Sequence, residues 1–213
     1  MKITIFGATG NLGSECLHQA LAAGHEVSVL VRTPQKLRAT PDARLSILQG
    51  DALNPDDVRL ALPEGTAAIL FAIGVDERTS PRDLCTDTTR HILQAMRERR
   101  IQRLVWCGGG SNFLPQDRIG AGARFVRWYS ETFLEHRHSD KEHQLELLLA
   151  ARDIEWAGIR PLRMVPGPRT EKYRLGYEKF SGLSRISFAD CAHAMVGMLQ
   201  DRRWTHQAPI IQY

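Results

Sequence analysis

Short apolar segments alternate with longer segments whose apolar residues recur every three or four positions along the chain. The first apolar segment, Lys2–Phe6, is followed by Asn11–Ala23, in which leucines, alanines and a cysteine fall on one helical face. Gly24 suits the end of a helix, and a second apolar segment covers Glu26–Val31. The pattern therefore predicts a strand, a helix and a second strand, which together form a βαβ unit.

The same alternation continues to the end of the chain. The segment Ala67–Ile73 is wholly apolar, which is typical of a strand buried on both faces. Arg160–Gly176 contains three prolines and is predicted to be a loop, followed by a short strand. The other predicted strands are Leu45–Leu48, Arg103–Cys107, Glu155–Ile159 and Pro209–Gln212, and the other helices begin at Pro55 or cover Asp83–Glu98, Arg124–His136, His143–Ala151 and Ser187–Leu199.

Strands that alternate with helices in this way predict an α/β fold. We expect a doubly wound parallel sheet with right-handed crossovers. Nothing in the sequence resembles a linker or a repeat, so we expect a single domain over residues 1–213, with a small C-terminal extension beside the substrate.

A glycine-rich loop connects the first predicted strand to the first helix, and it reads Gly7-Ala8-Thr9-Gly10-Asn11-Leu12-Gly13. In such a loop the first two glycines permit a tight turn and close approach of a phosphate, and the third lets the helix pack on the strand. The free N–H groups at the start of the helix then hold a diphosphate. A glycine-rich turn without a ligand is the alternative, but the βαβ context favours a dinucleotide site in a Rossmann-type fold.

The end of the second predicted strand indicates which dinucleotide binds. Sites for NAD commonly carry an acidic residue about 20 residues after the glycines, where it binds the ribose 2′-hydroxyl. Here Leu30-Val31-Arg32-Thr33 contains no acid, whereas Arg32 can pair with a 2′-phosphate and Lys36 can add a second charge. We therefore expect NADP(H) to be preferred over NAD(H). The alternative is that Arg32 is an ordinary solvated arginine.

Composition narrows the class of protein further. Of 213 residues, 43% are hydrophobic and 24% are charged, and the net charge is +4, as in many soluble globular proteins. Because the basic residues are dispersed, we expect no nucleic-acid partner, and the longest apolar segment is too short for a membrane span. The first strand leaves no room for a signal peptide, and the cysteines lack CxxC spacing, so we predict a cytoplasmic protein with reduced thiols. Its oligomeric state is not predicted.

Several motifs resemble those of the atypical short-chain dehydrogenases/reductases. The resemblance covers essentially the whole chain. Within that family, the chain most resembles the branch of flavin-reductase and biliverdin-reductase-B-like proteins. This branch includes bacterial NADH-flavin reductases and is close to the NmrA-like proteins. The glycine loop is shared by a whole superfamily, whereas the two late motifs are much narrower. The motifs are the glycine loop, Leu30-Val31-Arg32, Gly50-Asp51-Ala52, Cys107-Gly108-Gly109-Gly110-Ser111, Pro166–Gly176 and Ser184–Asp190.

The resemblance implies an NAD(P)H-dependent reductase, with NADPH preferred, that transfers hydride to a flavin or a similar small conjugated acceptor. Ser111 lies near the position of the superfamily's catalytic serine and is the candidate catalytic residue, although an ordinary loop serine is the alternative. No tightly bound flavin is expected, because no second nucleotide loop is present. The expected cofactor-binding residues are Gly7, Thr9, Gly10, Asn11, Leu12, Gly13, Arg32, Asp51, Ala52, Ala72, Ile73, Gly74, Cys107, Gly108 and Gly109, and the expected substrate-binding residues are Phe113, Arg163 and Met164.

One departure from the superfamily changes the expected chemistry. Short-chain dehydrogenases carry Tyr-x-x-x-Lys, whose tyrosine protonates a carbonyl oxygen, but no tyrosine of this chain is followed by lysine at that spacing. This disfavours an alcohol dehydrogenase and an epimerase-like relative. It is compatible with a flavin or tetrapyrrole reductase, whose acceptor can take its proton from water. It is also compatible with an NmrA-like redox sensor that binds NADP(H) without turnover.

A group of histidines near the middle of the chain raises the question of a metal site. His136, His138 and His143 lie close to Asp140 in the sequence, but their spacing fits no closed zinc site. We therefore predict no metal centre, and we interpret the group as the solvated end of a helix.

Overall fold

The structure, a computed structural model, describes residues 1–178 and 183–213. Its helices are α1 (Asn11–Ala22), α2 (Pro55–Leu60), α3 (Leu84–Arg99), α4 (Ala121–Phe133), α5 (Glu135–Ala150) and α6 (Phe188–Met198). Its strands are β1 (Lys2–Phe6), β2 (Glu26–Val31), β3 (Leu45–Gln49), β4 (Thr66–Phe71), β5 (Arg103–Cys107), β6 (Glu155–Pro161), β7 (Met164–Val165), β8 (Arg174–Gly176), β9 (Ile186–Ser187) and β10 (Ile210–Gln212).

Eight of these strands form one twisted sheet in the order β3-β2-β1-β4-β5-β6-β10-β8. Every neighbouring pair is parallel except β10 and β8, which are antiparallel. The two remaining strands, β7 and β9, pair with each other beside the sheet. This confirms the predicted Rossmann-type doubly wound sheet. The strand order reverses between β1 and β4, so a crevice opens where their carboxyl ends diverge.

Helices cover both faces of the sheet, and alternate residues of each strand supply the two cores. Ile5 and Leu70 lie on the face that α1 and α6 cover. Phe6 and Phe71 lie on the opposite face, where α2, α3 and α5 pack. All four side chains are at most 1% exposed. The central strands are therefore buried on both faces, as the wholly apolar pattern of the fourth strand predicts.

The helices after β5 differ most from the prediction. Helix α4 begins and ends three residues earlier than the predicted Arg124–His136, and α5 begins at Glu135, eight residues before the predicted His143. A single residue, Leu134, with φ of −133°, separates the two helices. The first two turns of α5 were missed because the side chains that they bury are polar, so they do not show the apolar period of an amphipathic helix.

The predicted loop Arg160–Gly176 also contains regular structure. It includes the end of β6 and the short strands β7 and β8. The short strand predicted after Gly176 lies partly outside the described residues. Within the described part of the chain, no helix combines the length and the apolar character that a membrane crossing requires.

Candidate cofactor and substrate site

The three glycines of the loop between β1 and α1 have different physical roles. Gly7 has a φ of +90°, and a Cβ there would lie 2.7 Å from the backbone of Ala72. A Cβ on Gly13 would lie only 2.1 Å from the Gly7 carbonyl oxygen, so the helix could not pack on the strand. A Cβ on Gly10 would instead meet only that oxygen, at 3.4 Å. Gly7 and Gly13 therefore form the turn, and Gly10 leaves an open approach to the backbone.

The N-terminus of α1 carries no cap of its own. Gly10 occupies the N-cap position without a side-chain hydrogen bond, and the first turn of α1 contains no acidic residue. By contrast, Asn54 caps α2 and Ser187 caps α6 through their side chains. The free N–H groups and positive dipole end of α1 suit an anionic group, so this end of the helix fits a dinucleotide diphosphate.

A cavity of about 820 Å³ opens at this end of the helix, along the carboxyl ends of β4, β5 and β6. It is large enough for a small ligand beside the nicotinamide half of a dinucleotide. The structure brings together there twelve of the predicted site residues: Gly10, Asn11, Leu12, Ala72, Ile73, Gly74, Cys107, Gly108, Gly109, Ser111, Arg163 and Met164.

Two glycines of the loop after β5 are required by packing as well as by the cavity. A Cβ on Gly108 would lie 2.4 Å from the ring of Trp106, and a Cβ on Gly109 would lie 2.7 Å from the side-chain oxygen of Asn112. The neighbouring Cys107 is buried, and burial raises the pKa of its thiol to about 12. It therefore lines the cavity as a neutral, apolar group.

A buried lysine of α5 supplies positive charge to the cavity wall. Lys141 is 7% exposed, and its Nζ lies 3.1 Å from the Cys107 carbonyl oxygen and 3.3 Å from that of Ile73. It also donates to Gln144 Oε1 at 3.0 Å and lies 5.1 Å from the centre of the Phe71 ring. All three hydrogen-bond acceptors are neutral oxygens, and Lys141 forms no ion pair with an acid of the described residues.

Ser111 lies at the same cavity and contacts a buried histidine. Its Oγ lies 3.1 Å from Nδ1 of His138, which is 6% exposed. Asn112 donates from Nδ2 to the His138 carbonyl oxygen at 3.1 Å and so fixes the loop against α5. Burial lowers the pKa of His138, an effect that neighbouring glutamates partly offset. The pair could therefore exchange a proton with a ligand in the cavity.

The mouth of the cavity is both aromatic and cationic. Phe125 and Tyr129 of α4 line it and are 60% and 45% exposed. Arg137 and Arg163 also line it and are exposed, and neither guanidinium forms an ion pair with an acid of the described residues. Exposed rings and unpaired cations at one opening suit a flat ligand that carries negative charge.

Some predicted cofactor residues lie away from the cavity. Arg32 is exposed and directly follows β2, at the same edge of the sheet, where the adenosine half of a dinucleotide would extend. Asp51 uses its carboxylate locally, accepting from Leu53 N at 3.0 Å, and Ala52 is half-buried beside it. Thr9 is exposed in the glycine loop.

Phe113, a predicted substrate residue, does not line the cavity. It packs against Val126 and Ile210, and the guanidinium of Arg127 lies 5.3 Å from its ring centre. Its contacts are with neighbouring elements, and its contact with substrate stays a prediction.

The solvated helix end predicted for the histidine group is wrong for two of its members. His138 and Asp140 are buried, and Asp140 accepts hydrogen bonds from the backbone N–H groups of Cys85 at 2.8 Å and Thr86 at 2.9 Å. Asp140 therefore caps the N-terminus of α3 from outside that helix. Within residues 1–178 and 183–213, no group of three or more acidic, histidine or cysteine side chains is arranged for a metal ion.

A family model described as NAD(P)H-binding matches residues 7–202, which include the glycine loop and the loop after β5. The chain belongs to this NAD(P)H-binding family. Among curated relatives, the uncharacterized protein YwnB of Bacillus subtilis is 28% identical over 212 residues, which cover 94% of this chain and 92% of YwnB. The nitrogen metabolite regulation-like protein bik4 of Gibberella fujikuroi is 31% identical over 165 residues, and the match covers 75% of this chain but only 46% of bik4.

Solved structures share the fold of this NAD(P)H-binding protein over its whole length. SP1627 of Streptococcus pneumoniae, provisionally described as an NADH-flavin reductase, has a TM-score of 0.77 at 21% identity and covers 100% of this chain and 99% of its own. ChuY, an anaerobilin reductase of Escherichia coli O157:H7, has a TM-score of 0.79 at 18% identity, covering 100% and 97%. At these identities the likeness establishes the fold, and the family model by itself confirms the predicted NAD(P)H-binding family.

Three cavity residues of α5 were not predicted as site residues. Arg137, His138 and Lys141 all line the cavity, and Lys141 lies four residues after Arg137 and three after His138, which is the spacing of one helical face. That spacing is visible in the sequence once the helix is known to begin at Glu135. It was missed because the predicted helix began at His143.

Proposed function

We propose that this protein is an NADPH-dependent reductase that passes a hydride to a small, flat, conjugated acceptor such as a flavin or a quinone. One observation carries the proposal. The uncapped N-terminus of α1, the ammonium of Lys141 and the hydroxyl of Ser111 all face one cavity. The first suits a diphosphate, and the other two lie at the ends of β4 and β5, where the reactive half of a dinucleotide would reach.

Different residues would bind different parts of the cofactor. The backbone N–H groups that follow Gly10 would hold the diphosphate, and Arg32 would pair with the 2′-phosphate that distinguishes NADPH from NADH. Lys141 would donate to polar groups of the nicotinamide half. When bound, NADPH supplies the hydride, and the protein contributes binding, orientation and electrostatics.

The cavity mouth supports a flat acceptor that carries negative charge. The rings of Phe125 and Tyr129 offer a surface on which a planar ligand can stack, and Arg137 and Arg163 offer charges for a phosphate or carboxylate. Flavin mononucleotide combines both features. SP1627, provisionally described as an NADH-flavin reductase, and ChuY, described as an anaerobilin reductase, lend support to this acceptor class.

The residue four positions before Lys141 also favours a conjugated acceptor. In a Tyr-x-x-x-Lys pair this residue is the tyrosine that protonates a carbonyl, but here it is Arg137. A guanidinium stays protonated and does not act as an acid near neutral pH. Reduction of a conjugated acceptor spreads the developing charge over the ring system, so the reaction depends more on positioning than on one strong acid.

A redox sensor is the second candidate. The similarity to bik4, whose name refers to nitrogen metabolite regulation, and the missing tyrosine both favour it. Such a protein would bind NADP(H) in the same loop and report the redox state to another protein.

A steady-state assay distinguishes the two candidates. We expect enzyme-dependent oxidation of NADPH, followed at its absorbance band, with FMN, riboflavin or a simple quinone as acceptor. Tight binding of NADPH without turnover of any acceptor would favour the sensor. If neither NADPH nor NADH bound, both candidates would be wrong.

A further inference from the structure

The two ring nitrogens of His138 face different surroundings. Nδ1 lies 3.1 Å from Ser111 Oγ, on the side of the cavity. Nε2 is buried and has no hydrogen-bond partner among the residues that the structure describes. The nearest acids are Glu142, whose Oε2 lies 3.6 Å away, and Glu131, whose Oε1 lies 3.8 Å away. These distances are too long for good hydrogen bonds but short enough for the carboxylates to attract a protonated ring.

An arginine holds the two carboxylates in place beside the imidazole. Arg127 of α4 binds Glu131 through Nε at 2.7 Å and Glu142 through Nη2 at 3.2 Å. The groups that face His138 are thus Glu142 on its own helix, Glu131 and Arg127 on α4, and Ser111 and Asn112 on the loop after β5. Their sum is two negative charges and one positive charge, so the surroundings favour a proton on Nε2.

These surroundings determine what the Ser111 hydroxyl can offer to a ligand. In the neutral ring the proton lies on Nε2 toward the carboxylates, and Nδ1 accepts from the hydroxyl; the Asn112 amide also approaches Nδ1, at 3.4 Å. Ser111 then presents only lone pairs to the cavity. When Nδ1 is protonated it donates to Ser111 Oγ, and the hydroxyl hydrogen turns toward the cavity.

We propose that His138 is a positioning residue that stores a proton and delivers it through Ser111 to the acceptor. The inference rests on the proposed reductase function. Reduction of a quinone adds one hydride, which NADPH supplies, and one proton. The Oγ–H bond of Ser111 breaks as its proton passes to an acceptor oxygen, and the proton on Nδ1 of His138 replaces it on Oγ. Water in the emptied cavity then reprotonates Nδ1, so the net proton comes from solvent.

This role predicts a pH dependence of turnover. Burial is the largest influence on the pKa of His138 and lowers it below 6.5; Arg127 also lowers it, while Glu142 and Glu131 raise it. The protonated ring is the active form, so kcat is highest below this pKa and falls as pH rises through it. A proton taken directly from bulk water would show no such dependence on His138.

The test compares pH profiles of kcat with a simple quinone for the wild type, His138→Gln and Ser111→Ala. We expect both variants to lose the dependence and to turn over about tenfold or more slowly at acidic pH, while binding NADPH with unchanged affinity. His143→Gln is the matched control, because His143 lies on the same helix with an exposed side chain, and it should keep the wild-type profile. If His138→Gln also kept that profile, the inference would be overturned while the reductase function stood. A wild type without turnover would overturn the reductase function instead.

A second readout does not depend on turnover. Nitrogen NMR of the labelled imidazole should show the neutral ring of His138 protonated at Nε2, with Nδ1 gaining a proton at acidic pH. Glu142→Gln removes a charge that raises the pKa, so it should lower the pKa of His138, whereas Glu146→Gln, one turn further along α5 and exposed, should not. The proposed role of His138 would be contradicted by a neutral ring protonated at Nδ1, or by a His138 pKa that is unchanged in Glu142→Gln.

Discussion

At the scale of single residues, the least expected feature of the site is a buried lysine that forms no ion pair with an acid in the described part of the chain. Lys141 keeps its place because three oxygens accept its hydrogen bonds, two of them carbonyls at the ends of β4 and β5. It thereby ties α5 to the sheet edge at which the cofactor is expected. Its charge is available to a ligand because none of these acceptors is ionised.

Replacing this lysine should affect both stability and binding. Lys141→Met keeps most of the length of the side chain but removes the donor to all three acceptors. We expect the free energy of unfolding to fall by about 1–3 kcal/mol, and NADPH to bind more weakly. Denaturant unfolding and a fluorescence titration with NADPH measure the two effects. The exposed Lys172 provides the control, since Lys172→Met should change neither quantity; an unchanged NADPH affinity in Lys141→Met would contradict its role in the site.

The preference between the two cofactors rests on another single residue. Arg32 is exposed at the end of β2 and can form a charged pair with a 2′-phosphate. Arg32→Ala should cost on the order of 1.5–3 kcal/mol in NADPH binding, roughly tenfold or more in affinity, and should leave NADH binding almost unchanged. Titrations of wild type and variant with both cofactors test this. Equal affinities of the wild type for NADPH and NADH would contradict the proposed role of Arg32.

At the scale of elements, two glycines at the start of α1 have different roles: Gly10 leaves room for the ligand, and Gly13 is needed for the packing of the helix. Gly10 has an ordinary φ of −82°, and a Cβ there meets the Gly7 carbonyl oxygen at a normal contact distance. A side chain at this position therefore fits the protein but projects toward the expected diphosphate. At Gly13, by contrast, a Cβ would collide with the backbone of the loop.

Two substitutions in this loop should consequently behave differently. Gly10→Val should abolish NADPH binding with little change in thermal unfolding, because it blocks only the approach of the ligand. Gly13→Ala should lower the unfolding temperature, because the contact of α1 with the strand must open. Calorimetry and a binding titration on both variants give the comparison. A folded Gly10→Val protein that bound NADPH normally would show that the phosphate binds elsewhere.

Helix α5 is the element that completes the site. Its first turns carry Arg137, His138 and Lys141 to the cavity, and Asp140, on another side, caps α3. These polar residues are held because each of the buried ones finds a partner: a serine hydroxyl, carbonyl oxygens or backbone N–H groups. A periodicity of apolar residues cannot reveal a helix whose buried face is polar, and this explains the late start predicted for it.

At the scale of the whole molecule, topology decides where the chemistry lies. The reversal of strand order between β1 and β4 opens the crevice, and the parallel strands bring the loops after β4, β5 and β6 to the same edge. The cavity at this edge is bounded by the glycine loop on one side and by α4 and α5 on the other. A cofactor held by the glycine loop would therefore meet an acceptor that lies against α4 and α5, the two helices whose bounds the sequence predicts least well.

The fold class, the first βαβ unit and the cofactor class could be predicted from the amino-acid sequence alone. These follow from local spacing: Gly7, Gly10 and Gly13 act within one turn, and the apolar periods of Lys2–Phe6 and Glu26–Val31 define adjacent strands. Such information needs no knowledge of distant contacts. The predicted bounds of both strands agree with the structure for that reason.

Which polar groups share the cavity with the glycine loop depends on contacts between residues that are far apart in the sequence. The contact of Ser111 with His138 spans 27 residues, and that of Lys141 with Ile73 spans 68. From the sequence alone, Ser111, His138 and Lys141 would be expected to lie in solvated polar segments. They are buried because the crossover from β5 to β6 folds α5 back onto the carboxyl edge of the sheet, where hydrogen bonds from distant backbone groups offset the cost of removing them from water.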